Sequence, residues 1–249
     1  MKLTVVGCAG SYPTPESPGS CYLVEHDDVA LVLDLGNGAL GGLQGFLDPL
    51  DDSRLAAVVL SHCHIDHCVD LGSLYVMRRY GPVAPREPLR VLGPLDTPER
   101  MVGIYGSASL ADLTEILDFR ALTETAQVGP FEVTAIRARH PVEAYSLRVS
   151  AGGRSLTYSG DTGPNPGLAR LASGTDIALF EASFVGDGNP SDLHMSGADA
   201  GRIAAEADVG LLVLTHQVAW NDPETPVREA AEHFSGPIER ARAGMTVTV

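Results

Sequence analysis

Positive charge is scarce in this sequence of 249 residues: 17 Lys and Arg stand against 32 Asp and Glu, a formal net charge of -15 at pH 7. A protein that grips a nucleic acid backbone over a long path usually needs the opposite field. The composition therefore favours a small substrate over a polyanion, while a cationic pocket in an acidic shell still admits an anionic one. Cysteine is equally sparse. Cys8, Cys21, Cys63 and Cys68 include no CxxC pair, which argues against a structural zinc ribbon or a disulfide framework and fits a reducing compartment. Long apolar runs are missing as well. The stretch 3–6 is far shorter than the ~7 to 15 residues of a secretory signal, and nothing approaches the ~18 of a membrane span. With 44% hydrophobic residues and no internal repeat or low-complexity tract, the chain reads as one globular domain over 1–249, cytoplasmic and without a membrane partner.

Short apolar or alternating runs bounded by Gly, Pro and Asp predict strands over 3–6, 22–25, 29–34, 55–60, 89–92, 131–137, 145–149, 155–158, 177–181 and 211–215. Helices are predicted over 37–47, 69–80, 98–105, 167–172, 196–207 and 224–234, with Ser196-Gly197-Ala198-Asp199 as a capping box. The Pro-rich stretch 81–88 reads as a linker too short to mark a domain boundary. Several strands end on polar clusters, as in VVLSHCHIDH, SLTYSGDT and LLVLTHQ. Strand ends are where a rigid scaffold presents chemistry.

His62-Cys63-His64-Ile65-Asp66-His67 packs three imidazoles and a carboxylate into six residues, and such residues are poor material for a strand or a core. Metal binding is the economical explanation. Imidazole and carboxylate suit zinc, manganese or iron, and a set without thiolates points to an open, catalytic site. His62 and His64, two apart, can point the same way in an extended segment, and Asp66 and His67 can face a second metal after a turn. His140, Asp161 in Ser159-Gly160-Asp161-Thr162, and His216 after Leu214-Thr215 supply further candidate ligands at strand ends.

Together these residues resemble the metallo-β-lactamase superfamily, whose HxHxDH hallmark is matched by His62, His64, Asp66 and His67. The resemblance spans nearly the whole chain. It implies an α/β (α+β) fold: a four-layer αβ/βα sandwich of two mixed β-sheets flanked by helices, with metals at one edge. It further implies two divalent ions, Zn2+ or Mn2+, the first on His62, His64 and His140, the second on Asp66, His67 and His216, bridged by Asp161 and supported from behind by Asp34.

The SGDT at Asp161, LTH at His216, and Glu181-Ala182-Ser183 followed by Leu193-His194-Met195-Ser196 look like the RNase Z branch of phosphodiesterases. By that resemblance Asp66 holds metal and attacking hydroxide, His194 protonates the leaving group and Glu181 orients His194. Two substrates compete, the 3′ trailer bond of a tRNA precursor and the cyclic phosphodiester of cyclic AMP. RNase Z enzymes carry a tRNA-gripping arm between the residues matching His140 and Asp161, which here stand only 21 positions apart. His216 is also followed by Gln217-Val218-Ala219-Trp220 in place of the usual Arg-Tyr.

The stretches GCAGSYPTPESPGSCYLV, LVLDLGNGALGGL, SHCHIDHCVDLGSLYVMRRY and DLHMSGADAG look instead like compact bacterial cyclic-nucleotide phosphodiesterases. A small-molecule phosphodiester, hydrolysed by a homodimer, is the expectation; the tRNA endonuclease and a thioesterase of the same fold are the alternatives. Arg78 and Arg79 are expected at a solvated helix end, with contact to a phosphate as the second reading. Tyr12 and Trp220 are candidates to stack on a base. Cys63 and Cys68 are expected to face away from the metals.

Overall fold

The computed structural model describes residues 1–82 and 87–249. Its first half runs β1 (Lys2–Gly7), β2 (Cys21–His26), β3 (Val29–Leu33), α1 (Ala39–Leu43), β4 (Leu55–Val59), α2 (Ile65–Cys68), α3 (Asp70–Tyr80), β5 (Leu89–Gly93), α4 (Thr97–Tyr105), α5 (Leu110–Thr114) and β6 (Leu117–Ala121). The second half runs β7 (Thr125–Val128), β8 (Phe131–Arg137), β9 (Tyr145–Ala151), β10 (Arg154–Tyr158), α6 (Pro166–Leu171), β11 (Ile177–Glu181), α7 (Gly197–Glu206), β12 (Leu211–Thr215), α8 (Thr225–Ala231), β13 (Ile238–Arg240) and β14 (Thr246–Thr248).

These strands form two seven-stranded sheets, ordered β14-β1-β2-β3-β4-β5-β6 and β13-β12-β11-β10-β9-β8-β7. Both are mixed: β3 to β6 and β10 to β13 are parallel, and the remaining pairs are antiparallel. Alternate residues of a strand face opposite sides of its sheet, and here both sides are covered. Leu31 and Leu33 of β3 join Val24, Val59, Phe131 and Leu147 in the core between the sheets, while Ala30 and Val32 pack with Leu40, Leu43 and Leu74 of the outer helices. On the other sheet Leu179 and Val213 point inward, and Phe180 and Leu214 lie under Leu168, Ile203 and Ala230 of α6, α7 and α8. The result is the expected four-layer metallo-β-lactamase sandwich. Burying each such side chain contributes roughly 1.5–3 kcal/mol, and double-sided cover is why these strands read as unbroken apolar runs.

The central elements lie within a residue or two of their expected bounds. Ser196 caps α7 by accepting from Asp199 N while Asp199 accepts from Ser196 N, the anticipated box. Ser109 and Asp112 form an unanticipated one on α5. The expected helix over 37–47 shrinks to the five residues of α1, where Gly41, Gly42 and Gly45 weaken helix formation. Strands β6, β7, β13 and β14 were not expected; they lie at or near the sheet edges with mostly half-exposed or exposed residues, so no apolar run marks them. The expected linker 81–88 falls partly on 83–86, outside the described residues.

Both expectations for Arg78 are overturned. Its side chain is buried, donating to Pro49 O at 3.0 Å, Glu87 O at 3.3 Å and Asp52 Oδ1 at 2.7 Å. It ties α3 to the preceding loop and touches neither solvent nor any phosphate site. Arg79 pairs with Glu115 on the surface. Among the described residues no helix is long and apolar enough to cross a membrane.

Candidate metal centre

The parallel strands of the two sheets end at one edge of the sandwich, and the segments beyond those ends carry the polar clusters. Asp34 follows β3 in a left-handed conformation, φ 58°, and accepts from Ser61 N, just beyond β4, at 2.6 Å. His64 caps the single turn of α2, which turns Asp66 and His67 back toward β4. That turn needs Gly36: a Cβ there would lie 2.0 Å from Asp66 O. His140 follows β8, Asp161 follows β10, Glu181 ends β11, and His216 follows β12 at φ 54°. Side chains other than glycine adopt such positive φ at a cost, and they do so most often where function holds them.

Three groups of ligand atoms converge there, each within 4.8 Å of one another: Glu181, His194 and His216 adjoin the two larger ones, His62, His64, His140 and Asp161, and then Asp66, His67, Asp161 and His216. Asp161 belongs to both larger groups. His62 Nε2 lies 3.0 Å from His64 Nδ1, which lies 3.2 Å from His140 Nε2. His67 Nε2 is 3.1 Å from His216 Nε2, which is 3.1 Å from Asp66 Oδ2.

Hydrogen bonds on the far side of the rings fix their tautomers. His140 Nδ1–H donates to Leu193 O at 3.0 Å, and His67 Nδ1–H to Asp34 Oδ2 at 2.8 Å. Ser61 Oγ donates to Asp34 Oδ2 and so accepts from His62 Nδ1 at 3.0 Å. Ser183 Oγ donates to Glu181 Oε2 and accepts from His216 Nδ1 at 2.8 Å. With neutral rings the nitrogens facing inward are then lone pairs set against lone pairs, a repulsion relieved by a cation among them or, in the bare site, by a proton on His67. Nitrogens on a tetrahedral zinc, each at about 2.0–2.1 Å, are about 3.3 Å apart, close to these spacings.

Two further observations fit a metal. Asp161 Oδ1 is buried without a hydrogen bond, although His67 Nε2 and His216 Nε2 stand 3.3 and 3.5 Å away. The carboxylates also draw positive charge inward. Burial alone would discharge His67, yet Asp161 and Asp34 push its pKa well above the ordinary value. Burial likewise opposes ionisation of Asp66, but hydrogen bonds from His216 and His67 hold its carboxyl well below the usual carboxylate range. His62 goes the other way, lowered by burial and by the charge of His67.

Beside these groups His194 Nδ1 pairs with Glu181 Oε1 at 2.9 Å and lies 4.0 Å from Asp161 Oδ2. Burial lowers the His194 pKa, but the charge and hydrogen bond of Glu181 outweigh it and raise the group to about 9. Glu181 is fully buried and held by Thr162 N at 2.7 Å and Ser183 Oγ at 2.9 Å. The Phe184 ring meets His194 edge-on at 5.3 Å.

All seven residues expected as ligands, with Asp34, Glu181 and His194, thus lie at one edge. Cys68 is buried in the helix-side core and Cys63 packs against it, its Sγ 3.4 Å from Thr97 Oγ1; neither joins a ligand group. Supporting residues the sequence did not single out are Ser61, Ser183, the carbonyl of Leu193, and Tyr158, whose hydroxyl donates to Asp34 Oδ2 at 2.7 Å. The serines adjoin quoted motifs, LSHCH and EAS, which was a usable signal. Tyr158 reads as core and gave none.

A beta-lactamase superfamily domain model matches residues 31–217. An uncharacterized protein of Mycobacterium leprae is 40% identical over 257 residues, covering 100% of this chain and 89% of its own. The probable metallo-hydrolase YhfI of Bacillus subtilis is 30% identical over 98% of both chains. Its crystal structure superposes with a TM-score of 0.88 over 99% of this chain and 98% of that one, at 29% identity. A ribonuclease Z of Mycobacterium bovis is 30% identical, covering 96% of this chain and 95% of its own. The chain therefore belongs to the β-lactamase superfamily and, within it, to the metallo-β-lactamase-fold, RNase Z-like branch, a family of metal-dependent hydrolases.

Proposed function

We propose that this hydrolase is a dinuclear-metal phosphodiesterase acting on small phosphodiesters, 3′,5′-cyclic nucleotides such as cyclic AMP foremost. The observation that carries the reading is the His194–Glu181 pair beside Asp161: an imidazole bonded to a buried carboxylate that favours its protonated form, next to a set of candidate metal-ligand side chains. A β-lactam or thioester hydrolase has no comparable need for a dedicated acid to protonate an alkoxide leaving group.

In this reading His62, His64 and His140 hold one ion, Asp66, His67 and His216 a second, and Asp161 reaches both. The ions, Zn2+ or Mn2+, supply Lewis-acid charge for the phosphoryl oxygens and lower the pKa of the attacking water toward neutrality. Asp66 is oriented by Ser11 N, which donates to its Oδ2 at 3.0 Å. With Nδ1 on Glu181, His194 presents Nε2–H to the leaving group. Water oxygen adds to phosphorus, the bond from phosphorus to the 3′ oxygen breaks, and that oxygen takes the proton of His194. The proton that water gives up on attack replaces, through solvent, the one lost by His194, so the acid is restored and a 5′-monophosphate is the product.

Small size of the substrate is supported by the acidic charge of the chain and by the residues between His140 and Asp161, which form the β9–β10 hairpin around Gly152 and Gly153. The ribonuclease Z similarity favours a second reading, cleavage of a 3′-extended tRNA. Zinc- or manganese-loaded protein is tested on cyclic AMP and on such a tRNA side by side, with Asp66→Ala as the blank. Cyclic AMP turnover that the variant loses supports the proposal; cleavage of the tRNA alone replaces it. The same family reading makes the working unit a homodimer in the cytoplasm, the former checked by sedimentation.

A further inference from the structure

Tyr12 and Trp220 stand in solvent, 43% and 70% exposed, yet their rings meet at 5.9 Å between centroids, inclined at 32°. Neither loop that carries them is loose. Ala9 bridges Gln217, and Gly10 N donates to Gln217 O at 3.1 Å. A Cβ at residue 10 would lie 2.6 Å from His216 O, so only glycine allows this approach. One residue further, Ser11 N donates to Asp66 Oδ2, and His216 stands four positions before Trp220. Ser11 and His216 both hold positive φ, 67° and 54°. Asn221 Nδ2 anchors the far side of Trp220 by donating to Ser183 O at 3.1 Å, and Ser183 also supports His216. Two strained residues, Ser11 bonded to the Asp66 carboxylate and His216 itself a candidate ligand, thus project an aromatic pair from the rim of the site.

From this geometry we propose that Tyr12 and Trp220 form a nucleobase platform: the base of the substrate stacks on the exposed face of the Trp220 indole, with Tyr12 bracing the ring, while the phosphodiester lies at Asp66 and Asp161. The proposal rests on the phosphodiesterase reading. Stacking uses the π-face that every base has, and indole and phenol rings lose little freedom because their loops are pinned. The platform therefore selects nucleotides over base-free phosphodiesters, with little discrimination among bases.

Trp220 is the sole tryptophan of the chain, so its emission reports the platform directly. In the metal-loaded full chain, adenosine 5′-monophosphate is expected to quench it and ribose 5-phosphate is not. Trp220→Ala and Tyr12→Ala are expected to raise KM for cyclic AMP about tenfold, the loss of one stacked base, with a much smaller change in kcat. The effect shrinks on glycerol 1,2-cyclic phosphate, which has no base, and Trp220→Phe recovers most of the KM. Unchanged KM in both alanine variants, with cyclic AMP still hydrolysed, overturns the platform, as does equal quenching by ribose 5-phosphate. A shift in oligomeric state of Trp220→Ala with unchanged KM assigns the pair to a protein interface and also overturns it. Quenching by the nucleotide without any nucleotide hydrolysis upholds the platform and removes the phosphodiesterase reading instead.

Discussion

Replacing Glu181 with glutamine keeps an oxygen for His194 Nδ1 and Thr162 N and removes the charge, while its amide nitrogen takes the place of Oε2 beside Ser183, whose hydroxyl can donate to His216 O instead. Glu181 is fully buried, and its Oε1 lies 2.9 Å from that nitrogen. The pair raises the imidazole from an ordinary value near 6.5 to about 9 against the opposing effect of burial, equivalent to about 3 kcal/mol favouring the protonated form. Without the carboxylate, burial dominates and the pKa falls to the ordinary value or below. In the metal-free protein at pH 7.5 a group titrating at about 9 is almost wholly protonated, whereas one titrating at about 6.5 is protonated in roughly one molecule in ten.

The expectation is a kcat at pH 7.5 lowered about tenfold or more, recovering as the pH is brought down, with the basic limb of the profile moved acidward by more than one pH unit. Cations in the two ligand groups pull both proteins down together, so the separation of the two limbs is what is measured. The assay is kcat for cyclic AMP against pH in metal-saturated wild type and Glu181→Gln. A substrate with a p-nitrophenolate leaving group needs no acid and should lose far less. A uniform loss at every pH with the basic limb unmoved would refute the assignment of His194 as the acid held by Glu181.

His194→Ala should lower kcat for cyclic AMP by about 10²–10⁴ and leave metal content, read by atomic absorption, intact; an unchanged rate removes His194 from the chemistry. Asp161→Ala should lose metal from both ligand groups at once, because its carboxylate belongs to each, whereas His140→Ala should deplete one. Chelation of the wild type should lower the melting temperature, by the equivalent of about 2.7 kcal/mol if the metal had been present at a hundred times its Kd; calorimetry with and without chelator checks it. Arg78→Ala removes a buried guanidinium from a partly exposed Asp52 and leaves Pro49 O without its donor, so denaturant melts should show a loss of about 1–3 kcal/mol with metal content unchanged.

The sequence by itself determined what is local or periodic. Three histidines and an aspartate within residues 62–67 are legible because one strand end and one helical turn hold them all. The central strands are legible because helices on one side and the second sheet on the other demand apolar residues on both faces, as at Leu31, Val32 and Leu33. Edge strands such as β6 and β14 escape that demand and left no pattern.

Tertiary structure alone decided what distant segments do to one another. Tyr158 reaches Asp34 from a strand 124 positions away, and a tyrosine on an apolar strand announces no such bond. The ring tautomers depend on Leu193 O and Ser183, which the fold brings beneath His140 and His216. Arg78 looks in sequence like any cation at a helix end, which the dipole and solvent would stabilise; its burial follows from the loop carrying Pro49 and Asp52 folding over α3. Tyr12 and Trp220 meet only because Gly10 lets two backbones touch at His216. Packing and backbone approach depend on which surfaces the completed sandwich places face to face, and no spacing along the chain encodes that.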